Sequence, residues 1–271
     1  MAKDLGAVFR VQPGKRVRLD RRDPADMTAF PDRKIAEKQC ADDSVAIDTL
    51  QDRLFAERTR ALLVVLQGID TSGKDGTVRK VFNQTGPLGV VVTAFGRPSE
   101  EELAHDYLWR AHRACPRRGV IGIFNRSHYE AVLVERVRKL AVPEAIEQRY
   151  DQINAFEKML VENGTTVLKF MLHVSKEEQR ERLQARLDEP ESRWKFNPGD
   201  LEDRKLWAEY QAAYTTMLEK CSTVAAPWYV IPSDRKWVRN GAIAAIVRKT
   251  LETMDPHYPE PDWKPGDFEV T

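Results

Sequence analysis

The stretch Leu62-Leu63-Val64-Val65-Leu66-Gln67-Gly68-Ile69-Asp70-Thr71-Ser72-Gly73-Lys74-Asp75-Gly76-Thr77 decides the fold. Its first half is a run of Leu and Val, the composition of a strand buried on both faces. Its second half has the spacing G-x-x-x-x-G-K. The glycines let the backbone turn so that successive N–H groups face one anion. A helix expected from about Lys74 adds its positive end at the same place. Strand, loop and helix together predict a phosphate cradle. It is built from Gly68, Thr71, Ser72, Gly73, Lys74, Asp75, Gly76 and Thr77, with Lys74 reaching the phosphates as a point charge.

The loop departs from the usual pattern twice. Asp75 follows the lysine, where a hydroxyl would ordinarily ligate Mg²⁺. At a helix start it also reads as an N-cap. Asp70 stands inside the loop, and a carboxylate there repels phosphate unless something neutralises it. A metal ion bridging Asp70 and the phosphates is the simplest neutraliser; a turn-forming aspartate is the plain alternative.

Outward from the loop, apolar runs at Ala61–Leu66, Gly89–Ala94, Val120–Phe124, Thr166–Leu172 and Trp228–Ile231 read as strands. Helical spacing is expected over residues 44–60, 74–83, 100–114, 128–139, 143–162, 176–188, 202–220 and 237–254. This alternation predicts an α/β fold with a five-stranded parallel sheet and helices on both faces. The 271 residues suit a single domain with embellishments. These are an arm over residues 1–43, a lid over about 176–207, and a Pro/Asp-rich irregular tail over 255–271. The arm, with Lys15-Arg16-Val17-Arg18 and Arg21-Arg22, reads as extended, either a solvated tail or a polyanion contact.

The net charge of +1 does not advertise nucleic-acid binding, so an anion site must come from local clustering. No apolar run reaches the about 18 residues of a membrane span, and Met1-Ala2-Lys3-Asp4-Leu5 lacks the apolar core of a secretory signal. Cys40, Cys115 and Cys221 are scattered and fit neither a disulfide framework nor a zinc site. A reducing, cytoplasmic setting is expected.

The run Val120-Ile121-Gly122-Ile123-Phe124 leads into Asn125-Arg126-Ser127-His128-Tyr129-Glu130. Ligands of open α/β sheets collect at the carboxyl ends of strands, where this segment and the phosphate loop meet. Asn125 occupies the place where an acid often binds Mg²⁺. Its amide can ligate a metal or bond a phosphate but cannot act as a base. The planar fork of Arg126 suits a phosphate. Glu130 is a second metal candidate beside Asp70, and His128 reads as a packed residue of the helix start.

Gly68-x-Asp70-x-x-Gly73-Lys74-Asp75-Gly76-Thr77 followed by Phe124-Asn125-Arg126-Ser127-His128-Tyr129-Glu130 resembles the polyphosphate kinase 2 family. The resemblance runs from about Val11 to Trp237. It includes Pro98-Ser99-x-Glu101-Glu102-Leu103-x-His105-Asp106, Arg182-Leu183-x-x-Arg186, Trp194-Lys195-Phe196-Asn197-Pro198 and Ala226-Pro227-Trp228-Tyr229-Val230-Ile231-Pro232. Much of the family has Asp where Asn125 stands and Trp where His128 stands; the form here looks like the third subclass. The resemblance implies a P-loop kinase-like three-layer fold, a helical lid, Mg²⁺ or Mn²⁺, and a homodimer or homotetramer. It also implies transfer from inorganic polyphosphate to AMP and ADP. Catalytic roles carry over to Asp70, Lys74, Asn125, Arg126, Arg182 and Arg186, and a further role to Glu130.

Arg182 and Arg186 are four apart and share a helix face. Arg193, Trp194 and Lys195 follow in a Pro-flanked stretch suited to a mobile lid. Lid arginines can close over a transferring phosphoryl group and expel water. Lys80, Arg117, Arg193 and Lys195 are further contacts for polyphosphate or an adenine (or other purine) nucleotide; Arg79, Arg118, Lys15, Arg16 and Arg18 extend the basic set. The same loop, Arg126 and lid would also serve an ATP-dependent nucleoside monophosphate kinase, or a non-catalytic nucleotide- or polyphosphate-binding protein.

Overall fold

A computed structural model of the chain describes residues 4–268. Met1-Ala2-Lys3 and residues 269–271, the ends of the expected arm and tail, lie outside the described residues. Five strands form one parallel sheet: β1 (Ala61–Gln67), β2 (Val90–Ala94), β3 (Ile121–Asn125), β4 (Thr165–His173) and β5 (Trp228–Pro232). Their spatial order is β2-β3-β1-β4-β5. Alternate side chains of β1 serve opposite faces, as the period of two requires. Leu62, Val64 and Leu66 pack in one core with α2 (Arg33–Glu57), α3 (Lys74–Val81) and α11 (Lys236–Met254). Leu63 and Val65 pack in the other with α7 (Pro143–Glu162) and α10 (Trp207–Cys221). The unbroken apolar run of β1 is explained by this three-layer burial.

β2 does not follow the expectation of burial on both faces. It is one of the two edge strands, and Val91 and Val92 are half exposed there, whereas the other edge, β5, is buried and bonded by the arm.

The 1–43 arm is also more ordered than an extended segment. Asp32 caps α2 by accepting from the Ile35 backbone N–H at 2.9 Å, so residues 33–43 belong to that helix. Its buried positions before Ile47 are Ala36, Cys40, Asp43 and Ser44, small or polar residues that hide the helical periodicity. Upstream, α1 (Leu5–Phe9) and the following chain bury Leu5, Phe9, Val11, Val17 and Leu19. The Val11 N–H donates to the Trp228 carbonyl at 2.8 Å, lashing the arm to β5.

Three expected helices are broken. Residues 100–114 form α4 (Glu100–Leu103), opened by a Ser99–Glu102 capping box, and α5 (Trp109–Ala114). Residues 128–139 form a 3₁₀ turn, His128–Val132, and the short α6 (Val134–Val137). The lid comprises α8 (Lys176–Asp188), a 3₁₀ segment Pro190–Lys195, and α9 (Pro198–Lys205), which is capped by Asn197. α9 stops at Leu206 before α10 begins, so the 202–220 helix is two. Past α11 the described tail is irregular except for one 3₁₀ turn, Pro265–Asp267.

Candidate active site

The phosphate loop connects the carboxyl end of β1 to the start of α3. Gly68 has φ +153°, and a Cβ there would stand 2.8 Å from the Leu172 carbonyl oxygen. A clash with fixed backbone makes glycine obligatory. Gly73 caps α3 in the left-handed region, φ +101°, so the N-cap is Gly73 and not Asp75. Asp75 lies in the first turn of α3 and accepts from Asn125 Nδ2 at 2.6 Å. Thr71, a non-glycine, also has positive φ, +66°. The Thr71 and Ser72 hydroxyls are buried with no hydrogen-bond partner among the described residues. Thr71 lines the cleft described below, and its unsatisfied hydroxyl fits a site shaped for a polar ligand.

Lys74 is buried, and its ammonium donates to the Gly68 carbonyl at 2.7 Å. Burial first, then the nearby Arg126 guanidinium, push its pKa down to about 8. β3 pairs with β1 in register Leu66↔Asn125, which brings Asn125 and Arg126 beside the loop. Arg126 sits at φ +60°, a strained position for a long side chain. Its backbone N–H bonds the Leu66 carbonyl at 3.0 Å, and its side chain clamps Asp70 and reaches Glu130 at 3.5 Å. Burial works against the Arg126 charge, but Asp70 and Glu130 together outweigh it and hold its pKa above the usual value.

The turn that follows is anchored from behind. Ser127 Oγ accepts from Gln67 Nε2 at 3.0 Å and from the Tyr129 N–H at 3.1 Å. His128 and Tyr129 are buried against Glu157, which pairs with the buried Lys169 at 2.5 Å. Burial opposes ionisation of Glu157, yet Lys169 and His128 hold its carboxyl below the ordinary range.

The lid arginines are wired in different ways. Arg182 donates to the carbonyls of Thr71 (2.9 Å), Ser233 (2.7 Å) and Asp234 (3.0 Å), tying α8 to the loop and to the end of β5. Gln179 on the same helix donates to the Asp70 carbonyl at 3.2 Å. Arg186 bonds within the lid, to the Lys195 carbonyl at 3.3 Å and Asp200 at 3.2 Å. A cleft of about 740 Å³ opens between loop and lid. Asp70, Lys74, Asn125, Arg126, Arg182, Arg186 and Lys195 all line it, with Gly73, Asp75, Gly76 and Thr71 on its floor. Gly68 and Glu130 line a smaller adjoining recess that shares Asp70 and Arg126.

Other expected contacts lie elsewhere. Arg117 is exposed ahead of β3, at the opposite end of the sheet, with its guanidinium 5.8 Å from the Phe55 ring. Lys80 is exposed at the far end of α3. Arg193 is exposed and bonds the Leu187 carbonyl at 2.8 Å. Ser72 and Thr77 are fully buried beneath the loop surface. Conversely, the cleft includes Asp200, Lys236 and Arg239, which sequence reasoning missed. Asp200 sits in Asn197-Pro198-Gly199-Asp200, whose helix-start chemistry was the only available signal. Its carboxyl is pushed upward by burial and then by Asp70.

Asp70 and Asp200 line the cleft and Glu130 lines the adjoining recess, set against Arg126 and Arg186. Hard oxygen donors of this kind suit a small divalent cation that completes its shell with phosphate oxygens. Among the described residues, no three His, Cys, Asp or Glu side chains converge as a ready-made metal cage.

An anion loop at the end of a central parallel strand, a cationic cleft and an arginine-bearing lid define a P-loop phosphotransferase. The polyphosphate kinase 2 family model matches residues 31–259, and the chain belongs to that family. It is 51% identical over 259 residues to the AMP/ADP-polyphosphate phosphotransferase of Meiothermus ruber, covering 94% of this chain and 96% of that one. It is 39% identical over 265 residues to the ADP-polyphosphate phosphotransferase of Rhodopseudomonas palustris, covering 93% and 91%. The crystal structure of polyphosphate kinase 2 from Arthrobacter aurescens TC1 superposes with TM-score 0.94 at 39% identity, covering 98% of this chain and 95% of that one.

Proposed function

We propose that this protein transfers a phosphoryl group from inorganic polyphosphate to AMP, ADP or both. The observation that carries the reading is Asp70. It is a carboxylate held inside an anion-binding loop by Arg126, at the floor of a cleft otherwise rich in cations. A carboxylate there repels phosphate unless a cation stands between them, and a divalent cation held by Asp70 is what a site joining two polyanions requires. The names and similarity of the Meiothermus and Rhodopseudomonas relatives support the same substrates.

In the proposed step, a terminal phosphate oxygen of the nucleotide attacks the terminal phosphorus of polyphosphate in line. The bridging P–O bond breaks, and the donor leaves one phosphate shorter. Lys74 and the loop N–H groups hold phosphate oxygens, while Arg126 and Arg186 neutralise charge that builds up as the bond passes. Mg²⁺, or Mn²⁺ in its place, would be held by Asp70 with Glu130 or Asp200 nearby, and would supply neutralisation of phosphate charge. No covalent enzyme intermediate is needed, because positioning and electrostatics carry this chemistry.

A homodimer or homotetramer in a reducing cytoplasm fits this reading. Among the described residues no helix is long and apolar enough to cross a membrane. Cys40 and Cys221 are buried free thiols.

Incubation with AMP or ADP, polyphosphate and Mg²⁺, without ATP, should yield the next higher nucleotide. Folded protein that forms none, or that requires ATP as donor, would contradict the proposal. Lys74→Ala and Asp70→Asn should each lower the transfer rate by at least about 10²-fold while leaving the circular dichroism spectrum unchanged.

A further inference from the structure

Arg239, in the first turn of α11, is 2% exposed and lies far along the chain from the loop it touches. Its Nη1 donates to the Ser72 carbonyl at 3.2 Å, while Nε and Nη2 donate to Asn240 Oδ1 at 3.1 and 3.0 Å. The guanidinium packs against the loop. A Cβ built on Gly73 would fall 1.8 Å from Nη1 and 2.6 Å from Cζ, and one on Gly76 would fall 3.2 Å from Nη2. Gly73 is thus doubly constrained, by its backbone angle and by this side chain.

All of its acceptors are neutral. Among the described residues Arg239 forms no ion pair with a carboxylate, and the charged group that acts on it is another cation, Arg182. Burial and then Arg182 push its pKa down to about 9. Lys236, one turn earlier on α11, lines the same cleft and adds no negative charge. A buried cation without a counter-charge is costly, and proteins ordinarily give it an acid or replace it with an apolar side chain. Here neither occurs, and the guanidinium backs onto a loop whose own N–H groups call for an anion.

We propose that Arg239 is a positioning residue for the phosphate chain. Its charge is balanced only when phosphate occupies the loop, and its contacts with Ser72 and Gly73 hold the loop in binding shape. This rests on the phosphotransferase reading above and adds to it a cation supplied from behind the loop.

The test compares wild type, Arg239→Met and Arg239→Lys. Thermal melts of the unliganded proteins are paired with calorimetric titration of tripolyphosphate in the presence of Mg²⁺. The Met variant should melt at or above the wild-type temperature, because an uncompensated buried charge has been removed. It should bind tripolyphosphate about 10- to 100-fold more weakly, the scale of one charge-assisted contact. The Lys variant, which keeps the charge, should recover most of that affinity.

Wild-type affinity in the Met variant overturns the proposal, as does a Lys variant no better than Met. A Met variant that fails to fold also contradicts it, because a cation unbalanced in the empty protein cannot be what holds that protein together. Failure of the wild type itself to bind tripolyphosphate would instead remove the phosphotransferase reading.

Discussion

Lys74 shows how a single burial decides chemistry. Its ammonium is satisfied by the carbonyls of Gly68 and Ile69, at 2.7 and 3.4 Å, and burial lowers its pKa to about 8. A neutral amine cannot attract phosphate, so kcat/KM for polyphosphate should fall as pH rises through about 8. In Lys74→Arg, whose guanidinium stays charged, the same limb should move to higher pH. Stability runs the other way. The folded pKa lies below the unfolded value of about 10.4, so the unfolded chain binds more protons between about pH 8 and 10.4. The contribution of Lys74 to stability therefore rises with pH across that window. Rate profiles and urea melts over the same range should diverge, and parallel curves would show that another group governs the rate. Lys74 was legible in the sequence because its motif is local. Arg239 was not, since 167 positions separate it from Ser72 and only the packing of α11 on α3 joins them.

At the scale of elements, the turn after β3 is set by a buried ionic knot. Lys169 projects from the middle of β4 and donates to Glu157 Oε2 at 2.5 Å, Tyr129 Oη at 2.8 Å and the Cys221 carbonyl at 2.7 Å. One side chain thus joins β4, α7, α10 and the turn that carries Arg126. Lys169→Met alone leaves Glu157 charged and buried, and should cost about 3–5 kcal/mol in urea unfolding. The double variant Lys169→Met, Glu157→Leu should recover much of that loss, since both charges go together. Additive losses in the two single variants and the double would deny the coupling.

The strand run Thr166–Leu172 was visible despite this lysine, because the residues around it are apolar. Its partner was invisible, as a glutamate on a helix pattern looks like any solvated charge. The broken helices at 100–114 and 128–139 were missed for a related reason. Helical spacing survives in short pieces, while in 128–139 the stop comes from tertiary docking of Ser127, His128 and Tyr129.

For the whole molecule, the sheet order follows from facts that composition does not carry. The apolar runs predicted five parallel strands, and five are present among the described residues, but their density in Val and Leu could not show that β2 is an exposed edge. The arm likewise hid its apolar contacts among Arg and Lys, and its basic side chains at Lys15, Arg16 and Arg18 stay exposed while Val17 and Leu19 pack inward. Expected polyphosphate contacts divide in the same way: Lys195 lines the cleft, whereas Arg117 and Lys80 lie at remote ends of their elements. Charge type can be read from sequence, but the side of the sheet it occupies depends on the path of the chain.

The lid carries one more consequence. Trp194 is 76% exposed at the cleft mouth, with the Lys195 ammonium 5.1 Å from its ring. An indole in water at the entrance to a polyanion site is an intrinsic optical probe. Adding tripolyphosphate and Mg²⁺ should change the tryptophan emission of the wild type, and Trp194→Phe should abolish most of that change while keeping turnover. An unchanged signal in Trp194→Phe would assign the emission to another indole. With Trp194 as the reporter, stopped-flow fluorescence can time polyphosphate binding against phosphoryl transfer without an attached dye.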